Sequence, residues 1–375
     1  MSDASSPEPD RVDGAPHPRE TPSLIGQHGA ETAFLDAYNA GRAHHAWLLT
    51  GPRGVGKATM AWAMARFLLA QDGQNAPNSL FGDAPARPAS LDVAPDHPVA
   101  RRILAGSEGG LYHITRKVNE KTGRLRDMII AEDVRDLNQF LQLSAADGGR
   151  RVVIIDSADE MNTQAANALL KMLEEPPERT FLLLVSHQPS RLLPTIRSRC
   201  RALRLVPLGP ADMERALDQA VITAAADMDA LSELSAGSVG EAIRLVNLGG
   251  LELYAELVSI FGDLPRPERS RALKLAEAAA TRGAEEKFAL LLSLLDQFLS
   301  RLARTGATGA PPPREAATGE AMLLTRLAPS QAAARNWAEC AQEIGARARH
   351  GRAVNLDPAA LVLDTVFKIQ RTATV

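Results

Sequence analysis

Cysteine is scarce in this chain. Its two cysteines, Cys200 and Cys340, can build neither a disulfide framework nor a four-cysteine zinc site within the chain. Long apolar runs are missing as well: nothing approaches the roughly 20 residues that span a bilayer. Residues 1–22 lack the apolar core of a signal peptide and are rich in Pro, Ser and charge, so they read as a disordered lead-in. A cytoplasmic protein is the expectation. Strong net charge is also absent. A balance of −3 leaves no global basic field for independent nucleic-acid binding. What is present is an ordinary globular composition, 45% apolar and 23% charged, over 375 residues. That length suggests about two or three domains.

The most informative stretch is His44–Thr59. A short apolar run, Ala46–Leu49, meets Gly51-Pro52-Arg53-Gly54-Val55-Gly56-Lys57, and a pattern of helix formers follows from Met60 to Leu69. Strand, glycine loop, lysine and helix are the parts of a phosphate-binding loop. The glycines let backbone N–H groups turn inward, and the helix N-terminus adds positive partial charge. One position departs from the pattern. The residue after the lysine should carry a hydroxyl that holds Mg²⁺, and here it is Ala58. Thr59 is one residue late, rotated by about 100° around a helix of 3.6 residues per turn, and is a poor substitute.

Further along, Leu111–Ile114, Arg151–Asp156, Phe181–Val185 and Ala202–Val206 read as strands. Helices are expected at Ala30–Ala40, Val134–Leu143 (with Asp133 as its cap), Thr163–Leu173 and Leu192–Ile196. Gln71–His97, full of Pro, Gly, Ala, Asn and Asp, reads as a long surface excursion. The strand Val152–Ile155 is apolar without alternation, which suits a parallel strand buried on both faces. Strands alternating with helices over Ala46–Val206 therefore imply an α/β, doubly wound parallel sheet. Ligands bind outside the carboxyl ends of such strands, where Gly51, Asp156 and Ser186 all sit. After Pro207-Leu208-Gly209-Pro210 no strand follows. Ala211–Ala220, Met228–Leu234 and Val239–Val246 read as short helices. Leu251–Phe261, Arg269–Thr281, Glu285–Ala303, Ser330–Ala348 and Pro358–Thr372 follow them, with Gly306–Arg314 as a connector and Asp357 as a cap. These amphipathic helices carry no constellation of chemistry, which points to packing, internal or against another subunit.

Asp156, ending a buried strand, fits the metal-associated carboxylate of phosphate-loop enzymes. A Glu that orients the attacking water usually follows it. Here the next residue is Ser157, while Asp159 and Glu160 read as helix-start carboxylates. Two independent parts of a hydrolytic site are thus missing. Ser198-Arg199-Cys200 is a different case. A guanidinium suits transition-state charge on a γ-phosphate, including one held by a neighbouring subunit. Arg116, Lys117, Lys121, Arg124 and Arg126 cluster around a turn at Asn119–Gly123, and read as a solvated hairpin tip or, alternatively, a DNA contact.

Taken together, Ile25-Gly26-Gln27, the phosphate loop, Asp156, the run Asn167–Pro177 (NALLKMLEEPP) and Ser198-Arg199-Cys200 resemble the clamp-loader branch of the AAA+ ATPases. The resemblance covers Leu24–Val246 by motif. It implies an α/β AAA+ core over residues 23–207, a small helical lid over 208–249 and an all-helical collar over 250–375. Motor subunits of that family carry Ser or Thr at position 58, Glu at 157 and an Arg in the helix after Gly237-Ser238, where this chain has Gly240. The resemblance therefore implies a subunit without intrinsic ATPase activity. It would supply Arg199 in trans as an arginine finger, with Ser198 and Cys200 positioning that loop. Gly51, Gly54, Gly56, Lys57, Thr59 and Asp156 would form a degenerate nucleotide site, compatible with residual ATP or ADP binding without turnover.

The implied partners are tau/gamma-type motor subunits and delta in a hetero-pentamer, and, through it, the sliding clamp and primed DNA. Many relatives carry a four-cysteine zinc module after the phosphate-loop helix. Gln71–Gly110 has no cysteine, so neither zinc nor any other required cofactor is expected. A working AAA+ ATPase of the motor type is the alternative, distinguished by turnover of the isolated chain. A weak direct DNA-binding module at Arg116–Arg126 is the other, distinguished by steeply salt-dependent binding.

Overall fold

The computed structural model describes residues 8–9, 11–71, 87–119, 121–143, 149–223, 227–266, 268–281 and 283–374. Most of the expected surface excursion, 72–86, lies outside the described residues, as does the start of the lead-in. The chain forms two compact units. The first runs to Ile222 and takes in Ser238–Gly240; the second comprises Thr223–Gly237 and Glu241–Val375.

Among the described residues the first unit is built on five parallel strands: β1 (Ala46–Thr50), β2 (Leu111–Ile114), β3 (Arg151–Asp156), β4 (Thr180–Ser186) and β5 (Arg201–Arg204), in the order β2-β3-β4-β1-β5. Its helices are α1 (His28–Asn39), α2 (Lys57–Ala70), α3 (Pro98–Leu104), α4 (Ala131–Leu143), α5 (Thr163–Glu174), α6 (Pro194–Arg197) and α7 (Pro210–Gln219). Period-two geometry sends alternate strand residues to opposite faces. Trp47, Leu49, Val152, Ile154, Leu183 and Val185 pack with α1, α2 and α3. Leu48, Val153, Ile155, Leu182 and Leu184 pack with α4, α5 and α6. Both faces are covered, which is why β3 and β4 read as unbroken apolar runs. This is the α/β parallel sheet expected, with the glycine loop after β1 and helical segments following it in the chain.

The N-terminal segment corrects the sequence reading. Residues 11–22 are not a disordered tail. Pro18–Glu20 forms a single 3-10 turn in which His17 Nδ1 accepts from the Arg19 N–H at 3.0 Å and Glu20 accepts from the His17 N–H at 3.1 Å. The His17 ring is buried edge-on against Trp62 at 5.7 Å. The physical cause lies elsewhere in the chain. α2 is buried from Met60 to Ala70, and Arg66 within it needs acceptors. The carbonyls of Arg19 and Thr21, each 2.8 Å away, supply them. Asp133 is also not the cap of α4. It is the third residue, its carboxylate accepting from the Ile130 N–H at 3.0 Å, the reciprocal half of a capping arrangement.

The second unit is helical among its described residues: α8 (Met228–Ser235), α9 (Val239–Leu248, whose first two residues belong to the first unit), α10 (Gly250–Gly262), α11 (Arg269–Ala280), α12 (Glu285–Thr308), α13 (Glu320–Leu327), α14 (Gln331–Ala353) and α15 (Pro358–Thr372). Asp357 caps α15 as expected, accepting from the Ala360 N–H at 2.9 Å. The connector is shorter than expected because α12 continues through Gly306. A Cβ at Gly306 would stand 2.8 Å from the Ser330 carbonyl oxygen, so glycine there serves a close approach rather than a break. A buried polar knot ties α10, α12 and α13 together. Glu320, fully buried, accepts from Tyr254 Oη (2.5 Å), Arg301 Nε (2.6 Å) and Arg301 Nη2 (2.9 Å). Among the described residues no single helix is long and apolar enough to cross a membrane.

Candidate functional site

The loop after β1 has the backbone its glycines predict. Gly51, Gly54 and Gly56 have φ of 143°, 75° and 95°, all in the region that disfavours a Cβ. At Gly51 a Cβ would lie 2.6 Å from the Leu205 carbonyl oxygen. Lys57 opens α2 and is buried. Its Nζ donates to the Gly51 carbonyl at 2.8 Å and to that of Pro52. Burial pulls its pKa down to about 8, opposed by the carboxylates of Asp156 and Asp159. Ala58 and Thr59 occupy the next two positions of α2, both half-buried.

Gln27, one residue of the quoted Ile25-Gly26-Gln27 signature, turns out to hold the loop in place. Its Nε2 donates to the carbonyls of Val55 (3.1 Å) and Val206 (2.7 Å), and its Oε1 accepts from the Val206 N–H at 3.0 Å. On the other side, Gly240 N–H donates to the Gly54 carbonyl at 3.1 Å. A Cβ on Gly240 would stand 3.1 Å from Gly54 Cα, and one on Gly54 would stand 2.2 Å from Ser238 Oγ. The position where the resemblance calls for an arginine is thus backed directly onto the loop, where a Cβ fits only if the loop backbone gives by a few tenths of an ångström.

The sheet brings the predicted carboxylate to the loop. Thr50 pairs with Ser186, and Asp156 with Val185, so Gly51, Asp156 and Ser186 share one end of the sheet. Ser157 Oγ donates to Asp156 Oδ1 at 3.1 Å and lies 2.9 Å from His187 Nε2. Burial, and then the charge on Lys57, lower the His187 pKa to about 4, so the imidazole is neutral at neutral pH. Asp159 accepts from the His187 backbone N–H at 2.9 Å, and Glu160 pairs with Arg116 at 2.8 Å. Both carboxylates near Ser157 are therefore engaged, and the position after Asp156 carries a hydroxyl beside a neutral imidazole. His187 carries no motif in the sequence; its one signal is its position directly after the end of β4.

Arg199 stands at the other end of the sheet. It follows α6 and precedes β5, whose Arg201 pairs with Trp47 near the start of β1. The phosphate loop begins four residues later along β1, about 13 Å away at a strand rise of ~3.3 Å per residue. Arg199 Nη2 pairs with Glu174 Oε1 at 2.8 Å, and Nη1 donates to the Thr195 carbonyl at 3.0 Å. Ser198 Oγ donates to the same carbonyl at 3.1 Å. Cys200 is half-buried beside the α5 face of the core, and burial lifts its thiol pKa to about 12, so it packs as a neutral side chain.

The basic cluster is largely neutralised. Lys117 pairs with Asp133 (3.2 Å) and Asp136 (3.1 Å), Arg126 lies 3.9 Å from Asp133, and Arg116 is taken by Glu160. Lys121 and Arg124 are exposed at the tip.

Residues 26–209 match a family described as DNA polymerase III, delta subunit. The DNA polymerase III subunit delta' of Pseudomonas aeruginosa is 39% identical over 224 residues, which are 58% of this chain and 61% of that protein. The subunit delta' of Escherichia coli K12 is 33% identical over 56% of this chain and 57% of its own length. The E. coli subunit tau is 28% identical over 73% of this chain and 40% of that protein. The chain thus spans about three-fifths of the length of the two delta' relatives.

Proposed function

We propose, on the premise that residues 26–209 form a delta-prime module of DNA polymerase III, that the chain is the stator subunit of a clamp loader. It stands in the cytoplasm beside tau/gamma motor subunits and delta in a hetero-pentamer that opens the sliding clamp at primed DNA. Arg199 completes the ATP site of an adjacent motor subunit, with Ser198 and Cys200 fixing the loop that carries it. Any polymerase activity belongs to the holoenzyme, since nothing in this chain resembles a polymerase metal site.

The observation that carries this reading is the separation of Arg199 from its own phosphate loop: one lies at the amino end of β5, the other beyond the carboxyl end of β1. A guanidinium so placed cannot serve the loop of its own chain. The loop itself keeps Gly51, Gly54, Gly56 and Lys57 but lacks a hydroxyl at Ala58, a carboxylate at Ser157 and a cation at Gly240. Those residues, with Thr59 and Asp156, hold ATP or ADP without turning it over, and the fold requires neither nucleotide nor zinc.

The test is turnover by the purified chain with Mg²⁺, ATP and primed DNA. Only background hydrolysis is expected, unchanged by Lys57→Ala. Hydrolysis that Lys57→Ala abolishes makes the chain a motor and overturns the stator reading.

A further inference from the structure

We infer that Glu174 is the positioning residue for Arg199, fixing the guanidinium plane before it meets the neighbour's phosphate. The inference rests on the trans role proposed above. An arginine on a surface loop has many rotamers, and whatever freedom it keeps beforehand is given up in the transition state. Arg199 is held on two sides by its own chain. Glu174 takes one N–H of Nη2 and the Thr195 carbonyl takes one N–H of Nη1. Two groups from two different elements define the plane of the fork. Three of its five N–H donors, on Nε and one on each terminal nitrogen, are left for an anion.

The placement of Glu174 gives independent support. It is the last residue of α5, with Glu175 directly after it. A carboxylate at a helix C-terminus faces the negative end of the macrodipole, where a cation is favoured. Local helix energetics therefore argue against Glu at 174, and the partner that accounts for it is Arg199. Both side chains remain partly exposed, 36% for Arg199 and 50% for Glu174, so the pair orients the finger without burying it.

Rates of ATP hydrolysis by the complete reconstituted loader on primed DNA test this, comparing wild type, Glu174→Ala, Glu174→Gln, Arg199→Ala and the double Ala variant. Glu174→Ala is expected to lower kcat about fivefold while KM for ATP stays within about twofold. Glu174→Gln, which keeps an acceptor oxygen in place, is expected within about twofold of wild type. The double variant is expected to be no slower than Arg199→Ala, because there is then nothing to position. A Glu174→Ala loader as fast as wild type overturns the inference, and so does a faster one, which would make Glu174 a restraint. A double variant slower than Arg199→Ala overturns it in favour of a structural role. If Arg199→Ala itself leaves the rate unchanged, the trans reading fails and takes this inference with it. If Arg199→Ala slows hydrolysis and Glu174→Ala does not, the positioning role alone falls. Unfolding midpoints of the single variants, expected to match wild type for these half-exposed sites, exclude misfolding as the cause.

Discussion

Glu320→Gln should weaken the second compact unit far more than its small chemical change suggests. The wild-type carboxylate is fully buried and accepts from Tyr254, from two nitrogens of Arg301 and from the Ala316 N–H at 2.6 Å. All four partners are donors. An amide must aim its NH₂ at at least one of them, and Arg301, whose side chain is only 12% exposed, loses its nearest counter-charge. Breaking a buried pair in this way costs roughly 3–5 kcal/mol. Glu233, 3.3 Å from Arg301 Nη1 and partly exposed, offsets some of that, so about 3 kcal/mol is expected, near the lower end. In a unit of this size each kcal/mol moves Tm by ~2–4 °C, giving a fall of about 6–12 °C. Urea and thermal unfolding of the full chain measure it, with Glu256→Gln as the control. Glu256 pairs with Arg271 at 2.7 Å but is 42% exposed, so its loss should cost about 1 kcal/mol or less. Equal, small effects for the two variants would refute the reasoning.

Lys57, with its pKa near 8, loses its proton between pH 7 and 9. ADP binding to the loop, followed by calorimetry, should weaken about tenfold over that interval, and a flat profile contradicts the role given to Lys57. In the nucleotide-free chain the sign is opposite. Above pH 8 the unfolded lysine binds more protons than the folded one, so this residue's contribution to stability rises with pH. Val221→Gly should stabilise the chain by about 1 kcal/mol, because a β-branched residue with φ of 58° and 87% exposure ends α7 where glycine fits without strain; destabilisation in urea unfolding would contradict that. Gly54→Ala should cost about 2–4 kcal/mol, from its left-handed φ and the clash with Ser238 Oγ, and Ser238→Gly should recover part of it in thermal unfolding.

Sequence legibility followed the range of the interactions. β2, β3 and α15 fall where the sequence places them, because an unbroken apolar run, a terminal carboxylate and an Asp-Pro cap are local signals. The phosphate loop is equally local, and pairing of Thr50 with Ser186 follows once the strands are parallel. What escaped depends on partners far along the chain. The order of residues 11–22 is set by Arg66 and Trp62, and the restraint on the loop by the bonding of Gln27 to Val206. Helices α3 and α13 are short and sit in Pro-, Ala- and Thr-rich surroundings that mask periodicity. The Ser157–His187 contact joins two strand ends, and nothing in either stretch names the other.

The central claim is that the chemistry of this chain is delivered to a neighbour's ATP. Its most direct test is a single-turnover measurement of ATP hydrolysis at the adjoining motor site in a reconstituted loader carrying Arg199→Ala. A loss of about tenfold or more, together with failure to load the clamp and an unchanged unfolding midpoint of the chain, is the predicted result. Hydrolysis and loading within about twofold of wild type would contradict it.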